Sequence, residues 1–143
     1  ILEAEGDEAY QASTTFKQNV VEPTVSDAIT LAARQVAETV NANCIVTYTT
    51  SGSTTLRAAR ERPTVPILCV TSSLSTARRM AIAWGIHSVH IDQEERFSTV
   101  VKRAVDIAET QGFASSGDHI VITAGVPMGK SGSTNVLRIE RIP

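Results

Sequence analysis

Cys44-Ile45-Val46-Thr47-Tyr48-Thr49-Thr50-Ser51-Gly52-Ser53-Thr54-Thr55-Leu56-Arg57-Ala58-Ala59-Arg60-Glu61-Arg62 is the stretch on which the fold turns. Its first three residues are a continuous apolar run, as in a buried strand. Its last seven have the composition of a short helix, and Pro63 stops it. Between them lies a hydroxyl-rich loop with one glycine. A helix N-terminus leaves backbone N–H groups unpartnered and carries partial positive charge. Hydroxyls and a glycine there let a phosphate approach the backbone. The plainer alternative is that Ser53, Thr54 or Thr55 simply caps the helix.

Outward from this stretch the same alternation repeats. On the N-terminal side, Ile29, Ala32, Ala33, Val36, Ala37 and Val40 recur at helical spacing, with Thr24 or Ser26 able to cap the start and Asn41-Ala42-Asn43 ending the run. On the C-terminal side, Pro66 to Thr71 is a second apolar strand. Ser72 and Ser73 can cap a helix whose inner face is Leu74, Ala77, Ala81 and Trp84, closed by Gly85. Ile86 to Ile91 is a third strand. Asp92 to Glu95 places acids at the start of the next helix, which carries Phe97, Val100, Val101, Ala104 and Ala108 and stops at Gly112. His119 to Ala124 is a fourth strand. A glycine-bearing loop, 125–134, leads to Asn135–Ile142, which alternates apolar and polar. Strand and helix at this spacing predict an open α/β sheet with helices on both faces. The last connection has no helix, so the final strand runs antiparallel to its neighbour. Ligands in such sheets bind beyond the C-terminal strand ends, where loops 49–54, 71–75 and 125–134 gather.

With 143 residues, 42% of them hydrophobic, the chain suits one domain with a real core. A net charge of -2 makes no general case for nucleic acid or a membrane surface. Charge is uneven: residues 1–27 hold six acids against Lys17, and residues 57–79 hold five arginines against Glu61. That basic segment favours an anionic ligand if folding brings it to the loop; otherwise it is a solvated helix face. Cys44 and Cys69 sit in apolar runs and read as buried small hydrophobes in a reducing, cytoplasmic setting. No signal peptide or membrane span is visible. The chain opens on Ile1 rather than Met, as a processed product or a piece of a longer chain does. Residues 1–23 lack a clear period and read as a lead-in.

Ala124 to Ser131 imitates a Walker A loop, but a strand rather than a helix is expected after it, which removes the phosphate-wrapping N–H groups. His87 and His90 lie on opposite faces of a strand and cannot share a metal. Tyr48, Trp84 and Phe97 read as core. No catalytic constellation and no metal site stands out.

Three segments together are familiar: Tyr48 to Thr55; Arg60-Glu61-Arg62-Pro63-Thr64-Val65-Pro66-Ile67; and Ile122 to Gly129 with Gly132-Ser133-Thr134-Asn135. They resemble the C-terminal domain of pyruvate kinases, most of all the bacterial branch, from about residue 24 to the end. The resemblance implies a five-stranded mixed sheet with an antiparallel last strand. It implies a parent enzyme that moves a phosphoryl group from phosphoenolpyruvate to ADP with magnesium and potassium, in a barrel domain that residues 1–23 would connect to. This chain would then be inactive alone, a regulatory domain that binds a phosphorylated effector and helps build a tetramer. By position, Thr49, Thr50, Ser51, Gly52, Ser53 and Thr54 match the effector-phosphate loop, and Gly129, Lys130, Ser131, Gly132 and Ser133 the loop that closes over it. Lys130 would add a charge contact. The stretch Phe97 to Val101 lacks the arginine that would hold a second phosphate, which favours a sugar monophosphate or AMP over fructose 1,6-bisphosphate. Two other readings stand beside this one: a subunit-interface module without allostery, and a stand-alone phosphate-binding α/β protein.

Overall fold

The computed structural model describes residues 24–129 and 134–143. The expected lead-in, 1–23, and Lys130, Ser131, Gly132 and Ser133 lie outside the described residues. The elements run α1 (Val25–Thr39), β1 (Cys44–Tyr48), α2 (Ser53–Arg60), β2 (Ile67–Thr71), α3 (Leu74–Met80), β3 (Ile86–His90), α4 (Phe97–Thr110), β4 (His119–Ala124) and β5 (Val136–Arg141). One five-stranded sheet has the order β3-β2-β1-β4-β5. β1 pairs in parallel with β2 (Ile45 with Ile67) and with β4 (Ile45 with Val121), and β2 in parallel with β3 (Ile67 with Ile86). β5 returns antiparallel to β4, Val121 opposite Ile139, as the helix-free connection predicts.

Every residue of β1 and β2 is buried. Interior parallel strands are covered on both faces, so continuous apolar runs are what they need. On one face Val46, Leu68, Val70, Ile120 and Ile122 pack with Val100, Val101, Ala104 and Ala108 of α4. On the other, Ile45 and Val121 meet Ala33 and Ala37 of α1. α2 shares that second face: Thr55 Oγ1 hydrogen-bonds Thr47 Oγ1 at 2.7 Å and reaches Cys69 Sγ at 3.3 Å. Right-handed crossovers put α3 beside α2, and the crossover through α4 on the opposite face.

Thr24 caps α1, accepting the Asp27 N–H at 3.1 Å, while the Thr24 hydroxyl donates to the Asp27 carboxylate. Three expectations are corrected. Gly52, in a left-handed conformation, occupies the cap position of α2; neither Ser53, Thr54 nor Thr55 does. The buried face of α3 is Thr76, Ala77 and Met80, whereas Leu74 is 49% exposed and the helix ends before Ala81 and Trp84. α4 begins only at Phe97, capped by Arg96, with no acid in its first turn. Buried Ile91 and the hydrogen bond from Glu94 N–H to the Tyr48 hydroxyl hold residues 91–94 against the sheet, outside the helix.

Cys44 and Cys69 are free thiols and fully buried. Burial pushes the Cys44 thiol up to about 12 and raises that of Cys69 as well. A thiolate is the reactive form. A disulfide reagent at pH 8 is therefore expected to leave both thiols unmodified in the folded protein and to titrate both once it is denatured. Rapid modification of either under native conditions would contradict the packing.

Candidate functional site

Thr49 N–H donates to the Val70 carbonyl at 3.0 Å, extending the β1–β2 ladder by one step before the chain leaves the sheet. The turn that follows is closed by its own side chains. Gly52 N–H donates to Thr49 Oγ1 at 2.9 Å, Ser51 Oγ donates to Ser53 Oγ at 3.2 Å, and Ser53 N–H points to Ser51 Oγ at 3.4 Å. Gly52 has φ 90, a conformation open to glycine at no steric cost. A Cβ there would also lie 3.0 Å from Met80 Cε and 3.3 Å from Thr76 Cγ2. Of the N–H groups of the first α2 turn, that of Ser53 points to Ser51 Oγ, and those of Thr54 and Thr55 have no acceptor within the helix, so α2 presents donors at this point.

α3 braces the turn from behind with residues spaced i, i+3 and i+4. Thr76 Oγ1 donates to the Thr50 carbonyl at 2.8 Å, Arg79 Nη2 donates to the Ser51 carbonyl at 2.8 Å, and Met80 packs on Gly52. In a trans peptide the C=O and the following N–H point in opposite directions. Holding the carbonyls of Thr50 and Ser51 toward α3 therefore directs the N–H groups of Ser51 and Gly52 away from it.

The base of the β4–β5 loop closes onto the same place. Thr134 Oγ1 shares a short hydrogen bond with Thr54 Oγ1, and the Thr134 carbonyl accepts from Ser26 Oγ at 3.4 Å. Thr134 thus ties the starts of α1 and α2 together. Asn135 spans the loop mouth, its side chain accepting from Val126 N–H at 2.9 Å and donating to the Val126 carbonyl at 2.7 Å. The Val126–Pro127 peptide is cis. Gly129 (φ 86) lies on the far side, beside Gln93. β1 and β4 are neighbours whose connections leave in opposite directions, so the cradle sits at the topological switch point of the sheet.

Of the six residues expected at the first loop, Thr50 is exposed and Ser51 and Ser53 half-buried, while Thr49, Gly52 and Thr54 are buried supports. The basic segment does not converge as a block. Arg57 and Arg60 turn to the buried Asp27 of α1. Arg62 stacks over Trp84 with its guanidinium carbon 4.3 Å from the ring centroid. Among the five, Arg79 is the one hydrogen-bonded to the loop. Sequence reading missed Thr76, took Arg79 only as one of the basic segment and Ser26 only as a possible cap of α1. The face that α3 turns to the loop is polar, and apolar periodicity is blind to it. The Walker-like stretch is followed by β5, a strand, so its helix is absent from the described residues. Among them no group of three or more His, Cys, Asp or Glu is placed to hold a metal. No described helix is long and apolar enough to cross a membrane.

A doubly wound α/β domain with a hydroxyl-lined turn at its switch point is the class that fold and site define. Residues 27–140 match the family described as pyruvate kinase, alpha/beta domain, and the chain belongs to that family. It is 39% identical over 137 residues to a pyruvate kinase of Methylorubrum extorquens, covering 96% of this chain and 29% of that protein. To a pyruvate kinase of Clostridium acetobutylicum it is 33% identical over 138 residues, with the same coverage, 96% and 29%. A crystal structure of a pyruvate kinase from Cryptosporidium parvum superposes with a TM-score of 0.83 at 26% identity, over 96% of this chain and 26% of that one. The chain thus spans about three-tenths of the length of these curated relatives.

Proposed function

We propose that this chain is the regulatory domain of a cytoplasmic pyruvate kinase and binds a phosphorylated small-molecule effector at residues 49–54. The observation that carries the reading is the turn itself. N–H and O–H donors at the start of α2 are fixed by α3 behind and meet the base of the β4–β5 loop in front. Such a turn complements a phosphate dianion. A sugar monophosphate or AMP fits better than fructose 1,6-bisphosphate. Residues 97–101, Phe97, Ser98 and Thr99 with Val100 and Val101 packed inward, carry no charged side chain for a second phosphate, and the nearest cation before them is Arg96 at the α4 cap. Gly129, Lys130, Ser131, Gly132 and Ser133 would close over the ligand, Lys130 adding charge. Phosphoryl transfer from phosphoenolpyruvate to ADP, with its magnesium and potassium, would take place in parts of the enzyme outside this chain, which alone would be inactive.

Ser51→Asp in the full-length enzyme places a carboxylate where the phosphate would sit. It is expected to raise the effector concentration for half-maximal activation at least tenfold, roughly the 1.4 kcal/mol that one lost charge-assisted hydrogen bond is worth. Basal turnover stays unchanged. Activation kinetics indistinguishable from wild type would rule the site out.

A second reading, that the domain contributes to a tetramer, is favoured by β5. This edge strand has no fully buried residue, with Ile139 43% exposed, and its outer hydrogen-bonding groups face no neighbouring strand among the described residues. Such an edge can pair across a two-fold axis. Ile139→Lys is expected to shift the full-length enzyme toward smaller species in sedimentation velocity; an unchanged tetramer would count against this surface.

A further inference from the structure

We infer that Arg79 is the residue that positions the 49–54 turn for a phosphate dianion, acting through the Ser51 peptide and Thr76. This rests on the reading of the turn as a phosphate site. Arg79 is exposed, yet its Nη2 donates both to the Ser51 carbonyl at 2.8 Å and to Thr76 Oγ1 at 3.2 Å. Thr76, 2% exposed, donates its hydroxyl hydrogen bond to the Thr50 carbonyl at 2.8 Å. The result is a directed chain from guanidinium to hydroxyl to carbonyl, in which each bond polarises the next. It fixes two successive peptides of the turn with their N–H groups facing away from α3. A cation on the Ser51 carbonyl also makes the N–H of the same peptide, that of Gly52, a stronger donor to Thr49 Oγ1. Of the other four arginines of the basic segment, Arg57 and Arg60 are committed to Asp27 and Arg62 to Trp84. Both contacts come from the one Nη2 nitrogen, whose two N–H groups hold the carbonyl and the hydroxyl together. An ammonium on the shorter lysine stem keeps the charge but not this fixed planar pair of donors.

The test compares wild type, Arg79→Met and Arg79→Lys in the full-length protein by two readouts. The first is amide hydrogen exchange of peptides covering residues 49–56 without ligand. The second is calorimetric affinity for inorganic phosphate and for glucose 6-phosphate. Arg79→Met is expected to speed exchange in the turn and to weaken both ligands about tenfold or more, the worth of one hydrogen bond to a charged group. Arg79→Lys recovers part of each. The ligand-free melting temperature changes little because Arg79 lies on the surface. Unchanged exchange in Arg79→Met overturns the positioning role, whatever the affinities. Faster exchange with undiminished affinity overturns its link to phosphate. If wild type binds neither probe, the effector reading of the turn falls, while the exchange comparison still decides whether Arg79 orders it.

Discussion

Asp27→Ala is expected to cost about 3 kcal/mol of folding stability, at the low end for breaking a buried ion pair. The Asp27 side chain is 1% exposed, but its partners Arg57 and Arg60 keep 28% and 48% exposure, so water can recover part of what the guanidiniums lose. The carboxylate also accepts the Thr24 hydroxyl at the α1 cap and sits in the first turn, where the helix dipole favours a negative charge. One side chain therefore clasps the start of α1 to the body of α2. For a domain of this size the loss corresponds to roughly 10 °C in melting temperature. The hydrogen bond from Thr24, then Arg60 and Arg57, hold the Asp27 carboxyl below the usual carboxylate range, against the opposing effect of burial. A depressed folded value means stability that is fully present above the ordinary Asp range and lost as pH falls through the lower folded value. The gap between wild type and Asp27→Ala should thus be constant from about pH 5 upward and narrow below about pH 4. Glu61 has the opposite sign. Burial raises its carboxyl, so folding favours its protonated form, and what it contributes is present at low pH and lost as pH rises through the raised value. Glu61 is present in both proteins, but the Asp27 charge helps to raise its carboxyl, so the difference curve carries a smaller Glu61 part of opposite sign beside that of Asp27. Urea titrations at several pH values measure it. A gap that widens toward low pH would overturn the assignment.

Gly52→Val is the second large effect, and it strikes stability and binding together. At φ 90 a β-branched residue is strained by roughly 1–3 kcal/mol. Its Cβ would press on Met80 Cε at 3.0 Å and Thr76 Cγ2 at 3.3 Å. The methionine end can swing away at little cost. Thr76 cannot, because β-branching stiffens it and its hydroxyl is spent on the Thr50 carbonyl. The turn is expected to move off α3, with about 3 kcal/mol lost in all and effector activation abolished in the full-length enzyme. Gly52→Asn, which tolerates the left-handed region, should lose clearly less stability. Equal melting temperatures for Gly52→Val and wild type would show that the backbone relaxes around the substitution.

Much of this domain was legible in the chain itself. The apolar runs at Cys44–Val46 and Ile67–Val70, with helical spacing between them, predict interior parallel strands, because only strands covered on both faces need continuous apolar residues. The helix-free passage from Ala124 to Val136 predicts an antiparallel β5, since a short connection cannot cross the sheet. The hydroxyl-rich turn with its glycine marks the end of β1 as the place where a ligand would meet a helix start. Tertiary structure alone decided which polar groups meet. Thr54 finds Thr134 across 80 residues, Arg79 finds Ser51 across 28, and Asp27 claims Arg60 across 33. Periodicity reports which side chains leave water. It carries no information on which of the remaining donors and acceptors come within 3 Å of one another, because those pairings follow from the crossover geometry that lays α1, α2 and α3 along one face of the sheet.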